Sequence, residues 1–283
     1  MKTRKINKVF HSKPTLEGAG VHLKRAFGFN ELPLFDPFLM LDDFRINERS
    51  KFIKGFPWHP HRGIETVTYI LEGCVEHKDS MGNGGIIASG DVQWMTAGSG
   101  IIHQEMPKGN VEEKMYGFQL WSNLPAKSKM MPPRYRDIKA SMIPEIISEN
   151  GVKIKIICGN INGASGPVQE IISDPQYLDI TIPSGTQYIH QTPSDYNVFT
   201  YIIEGSCYID SDESVSHGNE TLVLFEQGDK LHISTKEESV RLLFLCGKPL
   251  NEPIAWGGPI VMNTQQELEQ AFVEYDNGTF IKH

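Results

Sequence analysis

The chain has 283 residues and a formal charge of −8, from 27 basic and 35 acidic side chains, which argues against a broad nucleic-acid-binding face. Hydrophobic residues make up 39% and aromatics 10%, enough for real cores in one or two domains and too many for a disordered chain. No apolar run approaches the length that crosses a bilayer, and the basic N-terminus lacks the apolar stretch of a secretory signal, so no membrane association is expected.

In chain order, the opening MKTRKINKVFHSK alternates lysines with Ile6 and Val9 and reads as a solvated first strand. Strand-like runs then follow one another, punctuated by 26 glycines and 17 prolines, as in an all-β chain. One of them, Thr68-Tyr69-Ile70-Leu71-Glu72-Gly73, leads through a second hairpin to Gly90-Asp91. Another, Thr200-Tyr201-Ile202-Ile203-Glu204-Gly205, leads in the same way to Gly228-Asp229. Two related all-β domains are expected, residues 1–134 and 135–283, joined by the polar, proline-bearing stretch from Leu124 to Tyr135. Near the end, Thr264 and Glu267 have capping-box spacing. Leu268, Ala271, Phe272 and Tyr275 share one face, and Asn277-Gly278 terminates the pattern, predicting one C-terminal helix packed on a barrel. The four cysteines, Cys74, Cys158, Cys207 and Cys246, are scattered without a CxxC, which fits thiols in a reducing, cytoplasmic compartment.

The chemistry concentrates in two short segments, Trp58-His59-Pro60-His61-Arg62-Gly63 and Ile102-His103-Gln104-Glu105. Residues i and i+2 of a strand face the same way, so His59 with His61, and His103 with Glu105, can each aim two ligands at one point. Pro60 cannot donate to a ladder, which places the first pair on an edge, a strand start or a bulge. The stretch from Gly90 to Glu105 reads as a β-hairpin. Glu65 lies four residues after His61 and shares its parity, so parity alone does not choose between Glu65 and Glu105 as the acidic ligand. Three imidazoles and one carboxylate leave two positions open on an octahedral divalent metal, enough for an oxygen-bearing substrate and dioxygen together. Iron(II) is the first choice, with manganese, nickel, cobalt, copper or zinc as alternatives.

The spacing resembles the cupin superfamily, matched here by His59, His61, Glu65, Gly73, Gly90 and His103. The wording is closer still to one cupin family. FDPFLMLDDF, FPWHPHRGIETVTYILEG, GDVQWMTAGSGIIHQEMP, GFQLWSNLP and the MNT before the helix resemble pirins over about residues 20 to 275. The resemblance implies a bicupin of two double-stranded β-helix barrels with short helices and a C-terminal helix. It also implies the ligand set His59, His61, His103 and Glu105, with Glu65 left as a supporting residue. In the second repeat, counting places the HPH equivalent at His190-Gln191-Thr192-Pro193 and the His103 equivalent near Arg241, so that domain is expected to lack the metal site. His190, His217 and His232 then read as ordinary structural residues.

Pirins resemble flavonol-cleaving dioxygenases, and the implied reaction is opening of the heterocyclic ring of a polyphenol such as quercetin by dioxygen, with release of carbon monoxide. Glu105 would serve as general base toward the substrate hydroxyl. The alternative that the resemblance implies is a non-enzymatic redox or metal sensor that binds a protein partner. Phe56, Trp58, Trp94, Met106 and Trp121 lie near the motifs but are assigned no substrate role. A bicupin of this kind is expected to work as a monomer, and whether the first strand joins the first or the second barrel is open.

Overall fold

A computed structural model describes residues 1–171, 173–210 and 214–282. The chain divides into two compact units. The first comprises residues 13–30, 38–140 and 250–283, and the second comprises 1–12, 31–37 and 141–249. These differ from a cut at 134/135: the first strand belongs with the second unit and the C-terminal tail with the first. Among the described residues, no helix is long and apolar enough to cross a membrane, and no disulfide joins the four cysteines.

The strands are numbered in chain order as β1 (Ile6–His11), β2 (Lys13–Glu17), β3 (Val21–Phe27), β4 (Phe38–Asp43), β5 (Phe56–His61), β6 (Ile64–Glu72), β7 (Cys74–Asp79), β8 (Gly84–Ala88), β9 (Val92–Thr96), β10 (Ile101–Pro107), β11 (Tyr116–Asn123) and β12 (Arg134–Ile138). In the first unit, β12-β9-β6-β11-β4-β3-β2 form a seven-stranded sheet and β5-β10-β7-β8 a four-stranded one. Strand β6 is rich in β-branched and aromatic residues and is buried from Ile64 to Ile70, as befits a central strand. Strand β10 alternates instead. Ile101, His103, Glu105 and Pro107 are buried while Ile102, Gln104 and Met106 are half-exposed, so its period-2 pattern turns the two candidate ligands inward.

The expected hairpin from Gly90 to Glu105 does not form. Strand β9 pairs with β6 and β12, and β10 pairs with β5 and β7, so the intervening turn carries the chain from one sheet to the other. Its tightness rests on Gly98, where φ is +51° and a Cβ would stand 2.1 Å from the Met131 carbonyl oxygen. The expected linker is also packed structure. Lys129 is 1% exposed, its ammonium donates to the Gly63 and Val261 carbonyls and to Asn123, and Arg134–Ile138 is β12 itself.

In the second unit, β1 pairs antiparallel with Thr221–Phe225, which pairs with the long strand Asn197–Ile209. The counterpart of the β5–β10 pair is Gln187–Gln191 with Lys230–Ser234, which moves the counterpart of His103 to Leu231 or Ile233. Counting from Gly228-Asp229 to Arg241 overshoots because that turn opens the ligand-bearing strand directly, whereas Gly90-Asp91 opens the strand before it. Leu231 and Ile233 are buried with Val198, Ile202, Leu242 and Phe244 in an aliphatic interior. Each such side chain contributes about 1.5–3 kcal/mol through burial. His190 is buried, with its ring nitrogens hydrogen-bonded to the Tyr188 hydroxyl and Gln176. His217 is buried and His232 half-exposed on their strands.

Helix α1 (Gln265–Asp276) has the expected capping box between Thr264 and Glu267, and Gly278 follows it at φ +70°. Leu268 and Ala271 are buried and pack with Ile260, Met262 and Phe280, while Phe272 and Tyr275 remain 38% and 37% exposed.

Candidate metal centre

Strand β5 is the edge of the four-stranded sheet, where Pro60 leaves no ladder bond unmade. His103 lies opposite His59, and Ile101 opposite His61. A bulge between His103 and Glu105 then sets Glu105 against Phe56. The three imidazoles converge, with ring centroids 4.4 to 5.0 Å apart and one nitrogen from each within 4.8 Å of the others.

Hydrogen bonding fixes what these rings offer. The His59 Nδ1 lies 2.8 Å from the Pro57 carbonyl oxygen, and the His61 Nδ1 lies 3.0 Å from that of Pro259. A carbonyl only accepts, so both Nδ1 atoms carry the proton and both Nε2 atoms present lone pairs. Those two Nε2 atoms are 3.1 Å apart. Two lone pairs at that distance repel unless a cation lies between them. Burial holds His61 down to about 3 and lowers His59 and His103 too, so an imidazolium does not supply that cation at neutral pH. His103 is 1% exposed, and among the described residues neither of its ring nitrogens has a hydrogen-bond partner. An orphaned buried imidazole beside two convergent lone pairs could hold a divalent metal ion.

Glu105 lines the same cavity as His59 and His61 but stands outside the compact nitrogen cluster. Burial pushes its carboxyl up to about 7, opposed by the Thr68 hydroxyl 3.1 Å from Oε1. The same hydroxyl is 2.8 Å from Gln119 Oε1 and has one proton to give. A protonated Glu105 donating to Thr68, with Thr68 donating to Gln119, satisfies all three groups. Glu65 is on β6 in the other sheet, accepts a 2.6 Å bond from the Thr96 hydroxyl, and is not among the residues lining the cavity. Burial raises its carboxyl too. The geometry therefore favours Glu105 over Glu65.

The cavity is about 650 Å³. Phe56, Trp58 and Trp121 line it, whereas Trp94 is wholly buried core and Met106 is not among the lining residues. Two other groups of lining residues are unmarked by any motif spacing. One is an ion-paired set in which Arg25 holds Asp42 through two bonds of 2.8 and 2.7 Å and reaches Glu17 at 2.8 Å. Burial lifts the Asp42 carboxyl to about 6. The other is Trp256, Gly258 and Pro259 of the tail, whose Trp-Gly-Gly-Pro sequence signals a turn but not its destination.

A pH dependence follows. At pH 6 Glu105 holds a proton that a metal ligand must give up, while at pH 8.5 it has already lost it. The histidines are neutral at both. If Glu105 is a ligand, loading one divalent metal at pH 6 releases about one proton more than loading at pH 8.5. Calorimetry in buffers of different ionisation enthalpy measures this, and equal release at the two pH values contradicts it.

Comparison with known proteins agrees with this architecture. The pirin domain profile matches residues 20–122, and the pirin C-terminal cupin domain profile matches residues 177–281. The chain is 41% identical over 281 residues to a pirin-like protein of Caulobacter vibrioides, covering 99% of this chain and 100% of that one. It is 42% identical over 279 residues to a Pseudomonas aeruginosa protein whose name gives quercetin 2,3-dioxygenase as a provisional activity, covering 97% of each. A crystal structure of a quercetin 2,3-dioxygenase from Acinetobacter baumannii superimposes with a TM-score of 0.89 at 33% identity, covering 99% of both chains. A bacterial pirin from Escherichia coli in complex with nickel(II) shares the fold, with a TM-score of 0.65 at 21% identity over 86% of this chain and 98% of that one. From its bicupin fold and full-length relatives, the chain belongs to the pirin family.

Proposed function

We propose that the chain is a mononuclear non-haem metal dioxygenase that opens the heterocyclic ring of flavonols such as quercetin and releases carbon monoxide. The observation that carries this reading is the convergence of the His59 and His61 lone pairs and the orphaned His103 ring beside a cavity walled by Phe56, Trp58 and Trp121. The quercetin dioxygenase that shares 33% identity over nearly the whole chain supports it. His59, His61, His103 and Glu105 would hold the ion. A divalent metal there, iron(II) first, would act as a Lewis acid on a substrate hydroxyl and give access to dioxygen.

The chain's own residues supply the rest. A cavity of this volume with aromatic walls suits a flat polyphenol. Glu105, with Thr68 and Gln119 orienting its carboxyl group, is placed to take the substrate hydroxyl proton. Overall, one flavonol and one dioxygen give one ring-opened ester and one carbon monoxide.

Aerobic incubation of iron-loaded protein with quercetin is expected to release one carbon monoxide per quercetin consumed. Glu105→Gln is expected to lower the turnover rate by about 10²–10⁴-fold. An inert loaded protein, or a His103→Ala variant that consumes quercetin as fast as the parent, overturns the reading.

A further inference from the structure

The tail reaches the cavity through a two-stranded turn, Ala255–Gly257 paired with Ile260–Met262. The turn is fastened beside the HPH segment, where the Val261 amide donates to the Arg62 carbonyl at 3.1 Å and the Pro259 carbonyl accepts from His61. Trp256 lies opposite Val261, one residue pair back from the Gly258-Pro259 tip. Its indole N–H donates to the Gly258 carbonyl at 2.7 Å, and Gly258 has φ +53°. The ring is thus folded over its own turn with its polar atom already satisfied. What it shows the cavity is its apolar ring, half-buried and in contact with other rings only through Trp121 and Phe29 among the described residues.

That ring belongs to a row. The Trp121 ring is 5.1 Å from His61, Trp256 is 5.7 Å from Trp121, and Phe29 is 5.7 Å from Trp256. Phe29 is 62% exposed, so the aromatic row runs from the histidine cluster out to solvent. A core-packing tryptophan would be covered on both faces, as Trp94 is. A row of half-open rings leading away from a metal donor set is instead shaped for a flat ligand longer than one ring.

We propose that Trp256 is a specificity-determining residue of this cavity, the outer stacking contact for a polycyclic aromatic ligand held at the histidine cluster. The proposal rests on the functional reading above and adds a dependence on ligand length. A ligand of one ring anchored at the histidines ends at Trp121, whereas one with a second ring system extends to Trp256.

The test is binding without turnover. Iron-loaded wild type, Trp256→Ala and Trp256→Phe, matched for metal content and melting temperature, are titrated under argon with quercetin and with 4-nitrocatechol and followed by absorbance. Trp256→Ala is expected to weaken quercetin about five- to tenfold and 4-nitrocatechol less than about twofold, and Trp256→Phe to recover most of the loss. Equal effects on both ligands, no effect on quercetin, or no binding of quercetin by the wild type overturns the proposal. Quercetin that binds in this length-dependent way but is not consumed in air sinks the dioxygenase reading and leaves the wall standing. Turnover that is insensitive to Trp256, in binding as in rate, does the reverse.

Discussion

Alanine in place of His103 is expected to reduce bound divalent metal from one per chain to near none under conditions that saturate the parent. Among the described residues neither ring nitrogen of the buried His103 has a hydrogen-bond partner, and the ring closes the triangle with His59 and His61. Without it, two imidazoles and a carboxyl held near 7 remain. Loss of outer-shell support alone commonly costs 10–100-fold in metal affinity, so loss of a ligand is expected to cost more than about 100-fold. The variant should also lose the stabilisation that metal gives the parent, about 2.7 kcal/mol at a free metal concentration 100 times Kd. Metal analysis after equilibrium dialysis, with melting curves with and without metal, reads both effects. Retention of one metal per chain contradicts the assignment.

The second large effect is structural. Arg62→Ala is expected to destabilise the protein by about 3–5 kcal/mol, because it leaves buried acceptors without their cation. Arg62 is 2% exposed, and its guanidinium donates to the Ser99 carbonyl at 2.7 Å, to Glu274 at 2.8 Å and to the Phe280 carbonyl at 2.8 Å, 4.2 Å from the Phe280 ring. One side chain thus ties the end of the HPH segment, the turn before β10, the helix and the tail together. The same tail brings the Pro259 carbonyl to His61, so metal affinity should fall along with stability. Arg62→Lys should recover little, since the three donors of an ammonium leave one atom and cannot span acceptors that the planar guanidinium reaches from three separate nitrogens. Denaturant unfolding measures the loss, and a cost below about 1 kcal/mol means that the tail is held by other contacts.

How much of this was legible in the sequence depends on whether a residue's partners lie on its own strand. The shared facing of His59 and His61, the inward parity of His103 and Glu105, the edge position signalled by Pro60 and the Thr264–Glu267 cap are local patterns, and each appears where expected. Parity failed where the strand was not continuous. Strand β5 ends at His61, Gly63 turns at φ +77°, and β6 begins at Ile64 in the other sheet, so counting from His61 to Glu65 says nothing about a shared face. The same error made a hairpin of β9 and β10, two strands that follow each other but pair elsewhere. In the second repeat, it placed the His103 equivalent at Arg241. Trp256 and Pro259 carry no local signature at all. They lie nearly two hundred residues from His61, and only the fold brings them to the cavity.

The central claim is that one metal is held by His59, His61, His103 and Glu105. Anomalous diffraction from crystals of the iron-loaded protein, collected on both sides of the iron edge, tests it most directly. A single strong peak per chain is expected, bonded to the Nε2 atoms of His59 and His61, a ring nitrogen of His103 and a carboxylate oxygen of Glu105. No peak among the three imidazoles, or a metal bonded to them with no Glu105 oxygen among its ligands, would contradict it.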